Sequence, residues 1–530
     1  MLARSFIGFW SSDENNTFSE AMFDALQSEV NGSKRYKKGK YDIIVSEDCN
    51  VTVSDDFLTL NTSRKDNVDS LFMMISLELS DKFLKIERDL WGTRILNYLH
   101  VSRGIYFSTD IRYLLALPIH GICEYDCTAL MESSTLGYIH SEDRTLFKKI
   151  KQLPRNSSLI FDGEKFQIEK KIIYFDDEKF DNLETASSEF KNAFSATCSN
   201  AARILGNKAY PLSGGMDSTA IVLESSEYLN QIHSFSFSSL CNQEDVYYAE
   251  KIAEITASKH TVISFDEKNA VLKLPAFFNA VENVEFTGIF SSFGGYAYYL
   301  MCEKIRNEGF DVIFPGEGAD ELFGGYYWQL THTFGFVDNL KKITYGTKMY
   351  DEIFNLFPAV EDRDIYRKIA YNFLQGSALT NYHLSCIEHS AKAFGLYNYP
   401  IYMMPRIYEV LRKVPLKWLC DGTTTKILLR KYLLEKLEKI GLFGLVTRKK
   451  MAMPSVLPTS FKNIINALAK KESRCSQNPY KNILRQNSLN IMMLDLFHKY
   501  YTTRPLESVD LIEWKEDLEK LERNERIIHW

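Results

Sequence analysis

Pro211-Leu212-Ser213-Gly214-Gly215-Met216-Asp217-Ser218-Thr219 decides how this chain is read. It overlaps KAYPLS at 208–213, which has the pattern of a strand, and runs into a segment that reads as a helix from near Asp217. Two adjacent glycines let backbone amides come close to a ligand. A helix N-terminus adds unpaired N–H groups and a partial positive charge, which suits an anion. Ser213 and Ser218 supply hydroxyl donors for phosphate oxygens. Asp217 beside a phosphate calls for a cation between them, and magnesium commonly bridges one or two carboxylates to substrate phosphates. A bare SGG would be only a turn, with Asp217 as N-cap. Placed between strand and helix, SGGxDS reads as a phosphate loop. It is not a Walker A loop, which carries Lys after its last Gly, and the chain has no such loop.

A second glycine-rich stretch follows the same plan. Pro315-Gly316-Glu317-Gly318-Ala319-Asp320-Glu321-Leu322-Phe323-Gly324-Gly325-Tyr326-Tyr327 completes and follows DVIFP at 311–315, another strand pattern. Ligands of open parallel sheets bind beyond the carboxyl ends of the strands, so both stretches are expected to face one crevice. Asp320 is then a candidate second metal ligand, and Glu317 a base near a reacting carbon. Around them IHSFSFS at 232–238 reads as a strand. Helices are expected at 187–204, 246–255 and 296–307. Strands alternating with helices imply a parallel α/β sheet. From about 345 the chain reads as mostly helical.

Residues 1–175 have a different texture. YDIIVS at 41–46, FLTLNTS at 57–63, FLKIERD at 83–89, IYFSTD at 105–110 and SSLIFDG at 157–163 alternate apolar and polar residues between turn signals. This predicts antiparallel sheets in a sandwich. DDEKFDNLETA at 176–186 is acidic and reads as a linker or the approach to a helix, so the expected domains are 1–180 and 187–530. Nine cysteines at irregular spacing include no CxxC pair, which argues against structural zinc and for free thiols in a reducing compartment. MLARSFIGFW lacks the apolar core of a secretory signal, and no run of about 18 apolar residues occurs. The expected location is cytoplasmic. With 63 Lys and Arg against 69 Asp and Glu, the net charge of -6 offers no basic excess for nucleic acid.

SGGMDS resembles the pyrophosphate loop of N-type ATP pyrophosphatases. GEGADELFGGY resembles the corresponding segment of asparagine synthetases, in a superfamily shared with β-lactam synthetases and lasso-peptide cyclases. The resemblance covers roughly 200–455. It implies an α/β protein: an N-terminal β-rich, Ntn (glutaminase-like) sandwich, then a parallel α/β PP-loop synthetase domain with a helical C-terminal part. It also implies ATP as substrate with Mg2+, adenylation of a carboxylate with loss of pyrophosphate, and attack of an amine on the acyl-adenylate. Leu212, Ser213, Gly214, Gly215, Asp217, Ser218 and Gly316 would then bind ATP and pyrophosphate, with Phe237 against the adenine. Asp217 and Asp320 would hold the metal, and Glu317 would handle the amine. Thr424-Thr425-Lys426-Ile427-Leu428-Leu429-Arg430 resembles the family's K-x-x-L-R helix. Thr447-Arg448-Lys449-Lys450-Met451 resembles its R-x-K segment. The resemblance makes Lys426 and Lys450 catalytic cations that balance phosphate charge in the transition state.

Asp89-Leu90-Trp91-Gly92-Thr93-Arg94 resembles the D-x-x-G-x-R turn of the glutaminase domain, which would cover roughly 1–175. Such a glutaminase needs a cysteine directly after the initiator Met. Here that position is Leu2, and the first cysteine is Cys49. The glutamine-binding segments are missing too, which implies a glutaminase-like domain without glutamine hydrolysis. Asparagine synthetases also carry G-[VI]-E-x-R-x-P-[FY]-L-D. This chain has Gly395-Leu396-Tyr397-Asn398-Tyr399-Pro400-Ile401-Tyr402-Met403-Met404. Losing Glu, Arg and Asp from a substrate pocket implies an acceptor other than aspartate, because unmatched buried polar groups are costly. The reading is therefore an ATP-dependent amide-forming ligase in natural-product, lasso-type peptide or surface-polymer tailoring. Its partners would be a small-molecule or peptide carboxylate and an amine donor, with a peptide-recognition protein in the peptide version. No nucleic acid and no membrane span are expected. The intact GEGADE favours an alternative, an ammonia-dependent asparagine synthetase. A non-catalytic scaffold is a third reading, which would require the ATP motifs to be relics.

Overall fold

A computed structural model describes residues 5–11, 33–47, 49–54, 57–62, 74–102, 104–171, 180–238, 242–282, 294–326, 374–438, 441–447, 457–475, 477–484, 487–503 and 514–515. The alternating runs of the first third become strands: β1 (Phe6–Ser11), β2 (Lys34–Lys38), β3 (Tyr41–Val45), β4 (Asn50–Val53), β5 (Phe57–Asn61) and β6 (Ile75–Ser80). They continue as β7 (Leu84–Arg88), β8 (Asn97–Val101), β9 (Gly104–Ser108), β10 (Lys151–Gln152), β11 (Ser157–Phe161) and β12 (Phe166–Lys170). Two six-stranded antiparallel sheets result, ordered β10-β8-β9-β1-β3-β2 and β12-β11-β7-β6-β5-β4.

The period of two explains how they pack. Phe6, Trp10, Ile43 and Phe107 of the first sheet meet Leu58, Leu77, Leu79 and Ile86 of the second in one core. Trp10 Nε1 also donates to the Ser80 carbonyl across the gap, at 2.8 Å. The opposite face of the first sheet is apolar as well. Ile7, Phe9, Ile44 and Leu99 join a second core with Phe277, Tyr296, Phe461 and Phe497, from helices much later in the chain. Every residue of β1 is accordingly buried.

The second half forms a five-stranded parallel sheet from β13 (Lys208–Pro211), β14 (His233–Ser238), β15 (Lys259–Ser264), β16 (Val312–Ile313) and β17 (Tyr397–Asn398). Its order is β15-β14-β13-β16-β17. Chain order runs outward from β13 through β14 to β15, then resumes on the other side with β16 and β17. The switch point lies between β13 and β16, where such sheets bind ligands. Helices Leu183–Ala202, Met216–Ser225 and Gln243–Ile255 pack with this sheet. The first begins inside the stretch read as a linker: Asn182 caps it by accepting from the Thr185 N–H at 2.8 Å. The edge strand β17 lies in a segment expected to be helical, and its partner β16 is more than 80 residues away in sequence. Among the described residues no helix is long and apolar enough to cross a membrane, and the cysteines Cys49, Cys123, Cys127, Cys198, Cys302, Cys386 and Cys420 are free thiols.

Candidate active site at the switch of the parallel sheet

β13 ends at Pro211 and the chain turns through Leu212–Gly215 into the helix Met216–Ser225. Gly214 has φ +72, and a Cβ there would lie 2.1 Å from the Asp245 carbonyl oxygen, so only glycine fits. Gly215 is the N-cap and brings no capping side chain to the first-turn N–H groups. The serines organise the loop. Ser218 Oγ accepts from the Ser213 N–H at 3.1 Å and lies 3.1 Å from Ser213 Oγ. Leu212 is fully buried, with its N–H on the Phe235 carbonyl at 2.7 Å. The predicted phosphate loop is thus a preformed cradle of donors at the sheet's carboxyl edge.

The loop after β16 meets it directly. A Cβ on Gly316 would lie 3.2 Å from Asp217 Cβ. Asp320, on the short helix Ala319–Phe323, then comes to the same cation as Asp217. That cation is the Lys426 ammonium, 2.6 and 2.7 Å from the two Asp217 carboxylate oxygens and 2.7 Å from Asp320 Oδ1. Lys426 is buried, whereas both carboxylates keep partial access to solvent. Arg430 braces the turn: its Nε donates to the Thr425 carbonyl at 2.6 Å, and its Nη1 donates to the Val446 carbonyl. Burial lowers the Arg430 pKa, with nearby Asp217 opposing that shift.

Glu317 stands beside this cluster with Oε2 accepting from the Tyr298 hydroxyl at 2.7 Å. Tyr298 comes from the helix Gly294–Asn307. Burial, and next the Glu317 carboxylate, raise its pKa well above the ordinary phenol value, so it stays a donor. Tyr402 donates to the Asp217 carbonyl at 2.9 Å and fixes the loop from below. Farther along, Tyr326 donates to Glu321 and lies 3.0 Å from His383 Nε2.

Asp217, Asp320 and Lys426 therefore meet, with Ser213, Gly214, Gly215, Ser218, Gly316 and Glu317 around them. Phe237 lies at the carboxyl end of β14, 6% exposed, with its ring 5.8 Å from Phe265, and is packed as a core residue. Lys450 lies outside the described residues; the helix Gly444–Thr447 held by Arg430 ends three residues before it. Tyr298 and Tyr402 were not foreseen, because YAYYLM and YPIYMM look like ordinary apolar helix-packing text and only tertiary contact reveals the hydroxyls. The stretch 395–404, expected to line an acceptor pocket, turns Tyr399, Ile401, Tyr402, Met403 and Met404 fully into the core.

The pair Asp217 and Asp320 fits a divalent cation, since both carboxylates already converge on one positive charge. Among the described residues no group of three or more His, Cys, Asp or Glu side chains gathers to hold a metal. Two protein carboxylates suit magnesium that arrives with nucleotide phosphates to complete its shell.

A family profile described as asparagine synthase matches residues 207–516. A protein named as a glutamine-hydrolyzing asparagine synthetase in Methanocaldococcus jannaschii is 26% identical over 310 residues, 56% of this chain and 52% of that protein. An asparagine synthetase of Zea mays, also named as glutamine-hydrolyzing, is 28% identical over 127 residues, 22% of this chain and 21% of that one. The chain thus spans about half the length of the archaeal relative and less of the plant one. An NH3-dependent NAD synthetase structure from Campylobacter jejuni aligns with 62% of this chain at 12% identity and a TM-score of 0.23, too slight a likeness to bear on activity.

Proposed function

The chain belongs to the asparagine synthase family, and from that premise we propose an ATP-dependent carbon–nitrogen ligase that releases AMP and pyrophosphate and draws its amine from a source other than glutamine. The observation that carries this reading is the convergence of Asp217 and Asp320 on one cation at the sheet's switch point, beside an uncapped helix N-terminus. In the proposed reaction a substrate carboxylate oxygen attacks the α-phosphorus. The bond to the bridging oxygen breaks, and pyrophosphate leaves with the electron pair. The amine then attacks the acyl carbon, AMP departs, and the amine's proton passes to Glu317.

Leu212, Ser213, Gly214, Gly215, Ser218 and Gly316 form the pocket for ATP and the departing pyrophosphate, with Phe237 on the adenine side. Asp217 and Asp320 would hold Mg2+, which when bound supplies positive charge against the phosphates. Lys426 and Lys450 neutralise what remains. Tyr298 donates to Oε2 of Glu317 and orients the carboxylate.

We further read 1–180 as a glutaminase-like domain without its nucleophile and 187–530 as the synthetase. Cys49, the first cysteine of the sequence, is buried beside Ser46. These features support a tailoring ligase acting on a peptide, sugar acid or other specialised carboxylate. The intact GEGADE supports the second reading, an ammonia-dependent asparagine synthetase.

The test is AMP and pyrophosphate formation from MgATP and aspartate, with ammonium chloride or glutamine as amine source. A tailoring ligase binds ATP but turns over neither mixture, and yields AMP and pyrophosphate once its own carboxylate and amine are supplied. Turnover with ammonium alone establishes the second reading. Formation of ADP and phosphate with any acceptor overturns the adenylation chemistry.

A further inference from the structure

A lysine that only neutralises phosphates is expected at the mouth of a site, reaching outward. Lys426 is instead among the most buried charges in the molecule, with a side chain 1% exposed. Its Nζ donates to both Asp217 carboxylate oxygens at 2.6 and 2.7 Å and lies 2.7 Å from Asp320 Oδ1. The backbone is shaped to deliver it. Lys426 has φ +53, in the left-handed region that non-glycine residues rarely adopt. It is the N-cap of the helix Ile427–Leu437, yet makes no side-chain capping bond there. Room for its stem comes from Gly325, where a Cβ would lie 2.2 Å from Lys426 Cε and 2.0 Å from Asp320 Oδ1.

We propose that Lys426 is a tethered placeholder cation: without nucleotide it occupies the charge position between Asp217 and Asp320, so the pair refuses free divalent metal and admits it only together with a polyphosphate. The inference rests on reading these two carboxylates as the metal ligands of the proposed ligase. A free metal must expel an ammonium whose tether gives it a high effective concentration. It must also shed tightly held water and leave the ammonium buried without a partner, which is costly. A metal that arrives on a triphosphate removes the last cost, because the displaced ammonium gains phosphate oxygens as new partners. The site therefore selects the metal–nucleotide chelate over either component alone.

Mn2+ is the probe, followed by its free-ion electron paramagnetic resonance signal and by thermal unfolding, both without nucleotide. The wild-type chain is expected to bind no Mn2+ until ATP is added, and then one per chain. Lys426→Met should bind Mn2+ without ATP at least about tenfold more tightly than wild type, with a matching rise in Tm. Lys426→Met combined with Asp320→Asn should lose that binding. Wild-type protein that binds Mn2+ alone as tightly as Lys426→Met overturns the placeholder, as does a folded Lys426→Met that binds none. The wild-type arm stands even if the variant fails to fold, because nucleotide-free Mn2+ binding there overturns the proposal by itself. Binding of MnATP in the same titration separates the two levels: its absence sinks the ligase reading, whereas nucleotide-free Mn2+ binding sinks only the placeholder.

Discussion

Two charged turns, one in each half of the molecule, show what separates a structural cluster from a reactive one. In the sandwich, Asp89 accepts the N–H groups of Trp91, Thr93 and Arg94 at 3.0–3.2 Å. Neighbouring Arg88 donates to the carbonyls of Gly92, Arg94 and Leu153. Arg94 reaches across to Glu388 and the Asn398 carbonyl. These partners are fixed protein groups, and the turn that resembles a glutaminase motif serves here to bolt the sandwich onto β17. In the crevice, Asp217 and Asp320 share one side chain that a better cation can displace. Both clusters are ionic; under the placeholder proposal they differ in whether a partner can leave.

The largest effect that could break this contrast concerns the crevice. Asp217→Asn should lower pyrophosphate release by about a thousandfold or more, since preorganised charge is the main source of stabilisation for a phosphoryl transition state. An Asp217→Asn protein that releases no pyrophosphate yet stays fully functional in the cell would favour the scaffold reading. Next, Arg94→Ala should cost about 3–5 kcal/mol of stability by leaving Glu388 buried and uncompensated, read as a fall in Tm. ATP affinity of the protein that remains folded should be unchanged. If that variant instead loses ATP affinity at constant Tm, the bolt belongs to the active site.

Tyr298→Phe sharpens the crevice side. It should cut kcat about ten- to a hundredfold, less than the roughly 100- to 10,000-fold of a direct general acid or base because Tyr298 acts through Glu317, while leaving KM for ATP unchanged and shifting the pH profile of the amine step. The smallest effect is graded. Burial alone would push the Asp110 carboxyl up, but Arg112 and Lys392 outweigh it and hold it well below the usual range. A depressed folded pKa gives stability that is complete above the unfolded value, about 3.9, and drains away as the pH falls below it. Wild-type Tm should therefore drop below about pH 4. Asp110→Asn should be less stable at neutral pH and show a shallower acid slope. An unchanged slope would place the acid sensitivity elsewhere.

Much of this was legible in the sequence because it is written in local periodicity. The alternating runs gave strands within one or two residues of those found, and SGGMDS and GEGADE follow the adjacent strands β13 and β16, so both face one crevice as expected of a parallel sheet. What stayed hidden depends on contacts far apart in the chain. β17 is two residues long and exists only because β16 lies alongside. Lys426 was expected as a phosphate-balancing cation, but its burial depends on Gly325, a hundred residues earlier, and on a left-handed turn that threonines and a lysine do not announce. Glu317 was recognisable as a candidate base, but not that a tyrosine would donate to one of its oxygens.

The doubly buried first sheet carries a consequence for how such a chain can change over time. Ile7, Phe9, Ile44 and Leu99 pack against helices of the other half, and each large apolar side chain so covered contributes about 1.5–3 kcal/mol. Deleting the sandwich would bare that wall and leave a wide apolar patch prone to aggregation. Whatever chemistry the first third performs or lacks, the second half cannot shed it: the sheet is inherited as foundation, and mutation is free to rewrite its edges and loops but not to remove it.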